Sequence, residues 1–314
     1  MKITQKFNDT HQLKSLLWIS LLALILVSGI FGGFYYWDRY IHLNDKTPLE
    51  AGIRTLKAEA EANPEAPEPR LALAEYYLQY QSYSKAIEQA TQVLNAYPDS
   101  DRALLILGMA NKLSGDTELG VAYLERFTDI RRRLPSAEID PALQMSLYHL
   151  GDSYLQLNRP ADAQKVLSEA ITISASDADS LYLLGKATFM LGKPDEALIY
   201  YQHAVRFVPD YAEAYAGMVD SYTALNEPDY AAYAQGMQAF SQKDYQKARD
   251  ILSPLVERLP DYAPVYIGLG MAYEQLGDLR SAETMLERAV GIDSSDFTAS
   301  NALARVQTTL QETP

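Results

Sequence analysis

Two patterns of apolar and polar positions divide this chain. From Ser15 to Trp37 no residue is charged, and as a helix that run is roughly 35 Å long, enough to cross the hydrocarbon core of a bilayer. Trp18 and Trp37 lie near its two ends, with Tyr35 and Tyr36 beside the second, where interfacial rings are expected. The pattern predicts a transmembrane anchor over 15–37; a cleaved signal peptide, with a small-residue site at Val27-Ser28-Gly29, is the competing reading. Further on, apolar residues recur at helical spacing in segments separated by short turns, which predicts an all-α chain. The last segment is an example: Ala302, Leu303, Val306 and Leu310 share one face, with Arg305, Gln307 and Thr308 between them, as in a helix that caps an array with a polar outer side.

The segments are self-similar. Leu-Gly pairs stand at Leu107-Gly108, Leu150-Gly151, Leu184-Gly185 and Leu269-Gly270, each followed by an alanine-rich helical pattern. From Ala263 the pattern supplies Tyr266, Leu269, Gly270, Tyr273, Ala282, Leu286 and Ala289; from Ala178 it supplies Leu181, Leu184, Gly185, Ala197, Tyr201, Ala204 and Pro209. Several residue types thus recur in one register, and the chain from 47 to about 310 resembles the tetratricopeptide repeat, a helix-turn-helix unit of 34 residues. The resemblance implies a right-handed superhelical α-solenoid, here preceded by the anchor helix, and phases its units from Pro67, Asp101, Gln144, Ala178, Ala212, Asp229 and Ala263, with Phe297 opening a last helix. Position 8 is Ala74, Gly108, Gly151, Gly185, Val219, Gly236 and Gly270, where a small residue, together with alanine at position 20 (Ala86, Ala163, Ala197, Ala248, Ala282), lets the two helices of a unit approach closely. Pro98, Pro209 and Pro260 stop second helices.

Two departures from the period stand out. Residues Pro135 to Leu143 are in excess and predict a longer loop or an extension of the next helix. Asp229 follows Ala212 after half a repeat, so that either the helix from Asp229 to Ser241 is the second of one unit or the superhelix is offset there. The expected organisation is a short cytoplasmic tail over 1–14, the anchor over 15–37, a linker over 38–46, a repeat block over 47–226, and a second block with the capping helix over 227–314.

Charge sets the expected side of the membrane. Lys2, Lys6 and Lys14 precede the span against Asp9, and Arg39 and Lys46 follow it, a bias toward a cytoplasmic N-terminus with the repeats outside, periplasmic or extracellular. The chain carries a net charge of −14, which argues against nucleic acid as partner and against anionic headgroups beyond the anchor itself. With no cysteine, disulfides, thiolate metal sites and a cysteine nucleophile are excluded.

Candidate chemistry is sparse. His11, His42, His149 and His203 share no ligand spacing, so no metal site, cofactor or catalytic residue is expected. Gly268-Leu269-Gly270 lacks the preceding strand and third glycine of a dinucleotide fingerprint. Asp195-Glu196 opens a second helix, where carboxylates suit the dipole, and Arg131-Arg132-Arg133 ends one, where cations do. The resemblance implies that binding falls to the concave face, at first-helix positions 2, 5, 6, 9, 12 and 13. These collect Arg102, Leu105, Met109, Lys112, Tyr148, His149, Asp152, Tyr182, Lys186, Phe189, Tyr233, Met237, Phe240 and Met271; Phe189 and Phe240 read equally as inter-repeat core. Aromatics and methionines there make an adaptable groove for a peptide or helix. No asparagine occupies position 9, so the carboxylate clamp of chaperone-binding members is not implied.

The expected function is a non-enzymatic scaffold or adaptor holding another protein at the outer face of a membrane, as in envelope assembly factors such as those of cytochrome c maturation. A cytosol-facing receptor or co-chaperone, and an accessory subunit of an envelope polymer-processing enzyme, are the alternatives. An exposed solenoid end also permits homo-oligomers.

Overall fold

The computed structural model describes residue 20, residues 27–33, residue 35 and residues 48–312. The expected tail and linker lie outside the described residues, as does most of the expected anchor, whose described residues are helical. Among the described residues no helix is long and apolar enough to cross a membrane. The chain forms two compact units, Met1–Tyr76 and Tyr77–Pro314. The first holds α1 (Pro48–Ala62) and the start of α2 (Pro67–Gln79); the Tyr76 hydroxyl is 2.6 Å from where a Cβ on Gly52 would lie.

The second unit is a run of helices, each packed on the next. It comprises α3 (Tyr83–Ala96), α4 (Asp101–Ser114), α5 (Thr117–Arg131), α6 (Pro141–Gln156), α7 (Pro160–Ile173), α8 (Ala178–Met190) and α9 (Pro194–Phe207). There follow α10 (Ala212–Ala224), α11 (Pro228–Ser241), α12 (Tyr245–Leu252), α13 (Leu255–Arg258), α14 (Ala263–Gln275), α15 (Leu279–Ile292) and α16 (Phe297–Glu312). Second helices open on proline at their first turn, as at Pro160 and Pro194, or on a capping aspartate, as where Asp116 and Asp278 accept from the amides of Leu119 and Ser281; both devices satisfy or remove amides that a helix start leaves orphaned.

Position 8 behaves as its spacing predicts. A Cβ on Gly108, Gly236 or Gly270 would lie 2.6 to 2.7 Å from the side chain of Leu124, Leu252 or Leu286, and one on Gly151 would overlap Leu167. In each pair the partner stands 16 residues on, across the two helices of the unit, and Gly185 faces Tyr201 in the same register. These leucines are fully buried, so the glycine is the concession that lets the helices close.

The turns carry a second register. Every turn from a first to a second helix passes through one left-handed residue: Gln81, Gly115, Asn158, Gly192, Asn226, Lys243 and Gly277, which is position 15 of each unit. No turn from a second to a first helix among the described residues contains one. Asn226 and Lys243 are consecutive in this series. The chain therefore makes two first-to-second turns in succession, so α11 is at once the second helix to α10 and the first helix to α12. Both expected readings of the half repeat hold together: α11 pairs with α10, and it offers Gly236 to Leu252 as a first helix does. One apolar core runs through the joint from Ala178 to Leu269. The second helix of the offset unit is itself split at Ser253-Pro254, because proline cannot donate to the ladder. The Tyr266 hydroxyl covers two nearby carbonyls, donating to Val256 and Pro260 at 3.1 and 3.2 Å.

The nine-residue excess resolves into a single 3₁₀ turn (Ala137–Ile139) and an early start to α6, which Asp140 caps through the amides of Ala142 and Leu143. The arginine run is more than a complement to a helix dipole. Arg131 bonds Asp140 at 2.7 Å and Asp101 at 3.1 Å, and Arg132 grips both oxygens of Glu169 at 2.8 Å. These pairs stitch α5 to its neighbours on both sides.

Candidate functional site

The first helices α4, α6 and α8 share one layer, and the expected groove residues of the first block lie along it. Arg102, Met109, Lys112, Tyr148, His149, Asp152 and Tyr182 are half-buried, and Lys186 is exposed. Its centre is a polar trio between two repeats. The Lys112 ammonium, 9% exposed, lies 2.7 Å from a carboxylate oxygen of Asp152 and donates at 3.3 Å to Nδ1 of His149. Nδ1 is thereby an acceptor, which places the neutral imidazole's proton on Nε2. Burial and the adjacent ammonium together pull the His149 pKa down to about 4, against a smaller opposing pull from Asp152. Its ring meets Tyr148 edge to face with centroids 5.1 Å apart.

Tyr182 packs beside Tyr211, with centroids 5.3 Å apart, and the Tyr211 hydroxyl donates to Asp179 at 2.7 Å. Burial, and behind it the fields of Asp179, Asp152 and Asp177, raise the pKa of Tyr148; burial, then Glu213, Asp152 and Asp220, raise that of Tyr182. Both phenols stay neutral and able to donate. Carboxylates outnumber Lys112 and Lys186 around these rings, so the groove favours cationic or neutral occupants. It has little means of acid-base work: the free lone pair of His149 is taken by Lys112. Among the described residues no group of three His, Asp or Glu side chains is placed to hold a metal ion.

His149 gives this trio a pH signature. Its folded pKa lies below its unfolded value near 6.5, so the unfolded state takes the proton first, and stability present above about pH 6.5 is lost as pH falls toward 4. Thermal melts should show the wild type losing about 1–2 kcal/mol between pH 7 and 5 through this group, with His149→Gln flatter over that interval; parallel curves would mean that the imidazole is solvated.

Tyr233, Met237 and Met271 do not join this groove. Tyr233 and Met237 are buried in the core, and all three line a cavity of about 450 Å³ together with Gln202, Val205 and Arg206 of α9. A second helix of the first block thus faces first helices of the second. The two successive first-to-second turns account for this, since they exchange the layers at α11. Phe189 and Phe240 lie half-buried against core clusters. Tyr211 escaped the position rule because it stands at the N-cap of α10, just before its unit begins; Asp179 stands at position 2 of its unit, inside the rule, but was not singled out for the groove.

Family profiles described as Tetratricopeptide repeat match residues 71–135, 148–212 and 239–306. The chain belongs to the tetratricopeptide repeat family. The matches stop and resume on either side of the inserted turn and of the half repeat, the two places where the period breaks. Proteins of this family act as protein-interaction scaffolds and are typically non-enzymatic. Over 250 residues the chain is 24% identical to a DnaJ homolog subfamily C member 7 homolog of Schizosaccharomyces pombe, covering 75% of this chain and 51% of that protein. Over 260 residues it is 22% identical to the mitochondrial import receptor subunit TOM70 of Homo sapiens, covering 71% and 40%. The chain spans about half the length of these curated relatives or less. A crystal structure of MamA superposes with a TM-score of 0.51 at 20% identity, covering 58% of this chain and 94% of that one; a MamA double mutant gives 0.51 at 17%, covering 57% and 95%. This likeness is one of fold.

Proposed function

We propose that this chain is a scaffold that holds a segment of another polypeptide in the groove of α4, α6 and α8. The observation that carries the reading is the pair of half-buried tyrosines, Tyr148 and Tyr182, set among carboxylates beside the Lys112–Asp152–His149 trio. Neutral phenols donate hydrogen bonds and offer π-faces to cations, and the surrounding carboxylates suit a segment bearing Lys or Arg. The uncharged run Ser15–Trp37 anchors the protein, and the lysines before it keep the N-terminus cytoplasmic. The repeats then work at the outer face of the membrane, in assembly of an envelope complex such as that of cytochrome c maturation.

The test is crosslinking and co-purification from the native membrane with wild type and with Tyr148→Ala/Tyr182→Ala, both checked for equal helicity. One defined protein captured by wild type and reduced at least tenfold in the double variant is the expected result. Equal capture by both assigns binding to another surface. Tyr233 is left intact because its ring is core.

A cytosol-facing receptor or co-chaperone is the second reading, favoured by relatives named as an import receptor subunit and a DnaJ homolog. A reporter fused after Pro314 decides between them: activity confined to an extracytoplasmic reporter supports the outer-face reading, and a cytosolic signal supports the receptor.

A further inference from the structure

We propose that the cavity at the half repeat is a second binding site, independent of the first groove, that takes a polypeptide segment through one bulky uncharged side chain and the peptide carbonyl beside it. Its volume of about 450 Å³ is in the range of formed ligand sites. Its apolar wall is rich in methionine, from Met218, Met237 and Met271, unbranched side chains that adapt to a bulky guest.

Two phenols define its chemistry. Tyr215 and Tyr233 line the cavity, are 4% and 8% exposed, and neither hydroxyl has a hydrogen-bond partner among the described residues. Among the described residues the sealed side-chain oxygens without a partner are those of Ser146, Ser153, Ser180 and Ser221, so the two phenol oxygens are not sealed in the core and remain open to a guest in the cavity. Burial, ahead of any charge, raises the pKa of both, so each keeps its proton and presents a donor to an acceptor entering the cavity. A peptide carbonyl is such an acceptor. The rim holds one group of each sign, Arg206 and Asp296, which leaves no net charge to draw an ion, and Asp296 is already engaged in capping α16 through the amide of Ala299. The cavity is continuous with the first-helix layer of α11 and α14, the layer that in the first block forms the groove. Because the layers exchange at α11, this site opens beside α9, a second helix, and both sites can be filled at once.

The experiment uses the full chain labelled with [¹³C-methyl]methionine and titrated with N-acetyl-L-tryptophanamide, an internal tryptophan residue in miniature. The expected result is that the methyl signals of Met218, Met237 and Met271 move along one saturating curve while that of Met109, in the first groove, stays still. Tyr215→Phe/Tyr233→Phe should weaken binding at least fivefold, and Met271→Trp, which fills the cavity, should abolish the response. N-acetyl-L-alaninamide should produce none. The inference is overturned if the three methyls fail to respond up to the solubility of the probe, move no more than Met109, or respond equally in a folded Met271→Trp protein. The wild-type titration decides the matter even where a variant fails to fold. Tyr148→Ala/Tyr182→Ala should leave this titration unchanged, so failure here and failure of the first groove are separate outcomes.

Discussion

Gly151→Val should destabilise the repeat unit by about 3 kcal/mol, at the upper end of overpacking costs. The first added carbon already falls on Leu167, whose two methyls and Cγ all lie within van der Waals overlap. Leu167 is fully buried and belongs to the core shared by α6, α7 and α8, so it has nowhere to go without moving a helix. Urea unfolding followed by circular dichroism measures the loss. Leu167→Ala alone should cost 2–5 kcal/mol, roughly, by leaving a cavity, yet in the Gly151→Val background much of that cost should vanish, because valine occupies the vacated space. Strict additivity of the two changes would show that the residues do not meet.

Asp140→Ala should cost a comparable amount, about 3 kcal/mol. The Asp140 side chain is 2% exposed; it bonds Arg131 at 2.7 Å and caps α6 through two amides. Removing it leaves a guanidinium with only the more exposed Asp101 for company and restores two orphan donors. Since α5 and α6 are adjacent repeats joined across an insertion, the loss should appear as early opening at that interface, read by faster amide exchange in α5 and α6 than in α14 and α15. The pH dependence has a definite sign. Arg131, then the backbone amides, hold the Asp140 carboxyl below its ordinary range against the cost of burial. Its contribution is complete above about pH 4 and disappears as pH falls through the folded value. Wild type and Asp140→Asn should therefore converge in stability on acidification below about pH 4. A gap that stays constant there would assign the effect to packing rather than charge.

Much of this was legible in the residues, for a physical reason: helices that touch need small side chains at the point of contact, and Gly108, Gly151, Gly185, Gly236 and Gly270 advertise that need wherever they fall. The half repeat was legible as a spacing. Its consequence was not, because the left-handed turn residues include Gln81 and Lys243, side chains that carry no turn signal of their own. Without them the two consecutive turns of one kind at Asn226 and Lys243 cannot be recognised, and Tyr233 reads as sharing one groove with Tyr148 and Tyr182 when it lines a separate cavity. Partners across repeats were equally hidden. Nothing in Arg131-Arg132-Arg133 says that Asp140 and Glu169 are waiting, and His149 shows no sign of the Lys112 ammonium that keeps it neutral. The expected anchor over 15–37 rests on the sequence pattern, since most of it lies outside the described residues.

The two successive turns at Asn226 and Lys243 make the array a question of parity. Helices before the joint count odd and even in one sense, and those after it in the other, so a whole-repeat deletion anywhere would shorten the protein without altering which sides its ends present. Excising a single helix and turn at the joint, half that length, would restore the count, and would take part of the cavity wall with it, Tyr215 and Met218 with α10 or Tyr233 and Met237 with α11. The reach between two bound segments is thus set by chain length, but their relative direction is set by one misplaced helix.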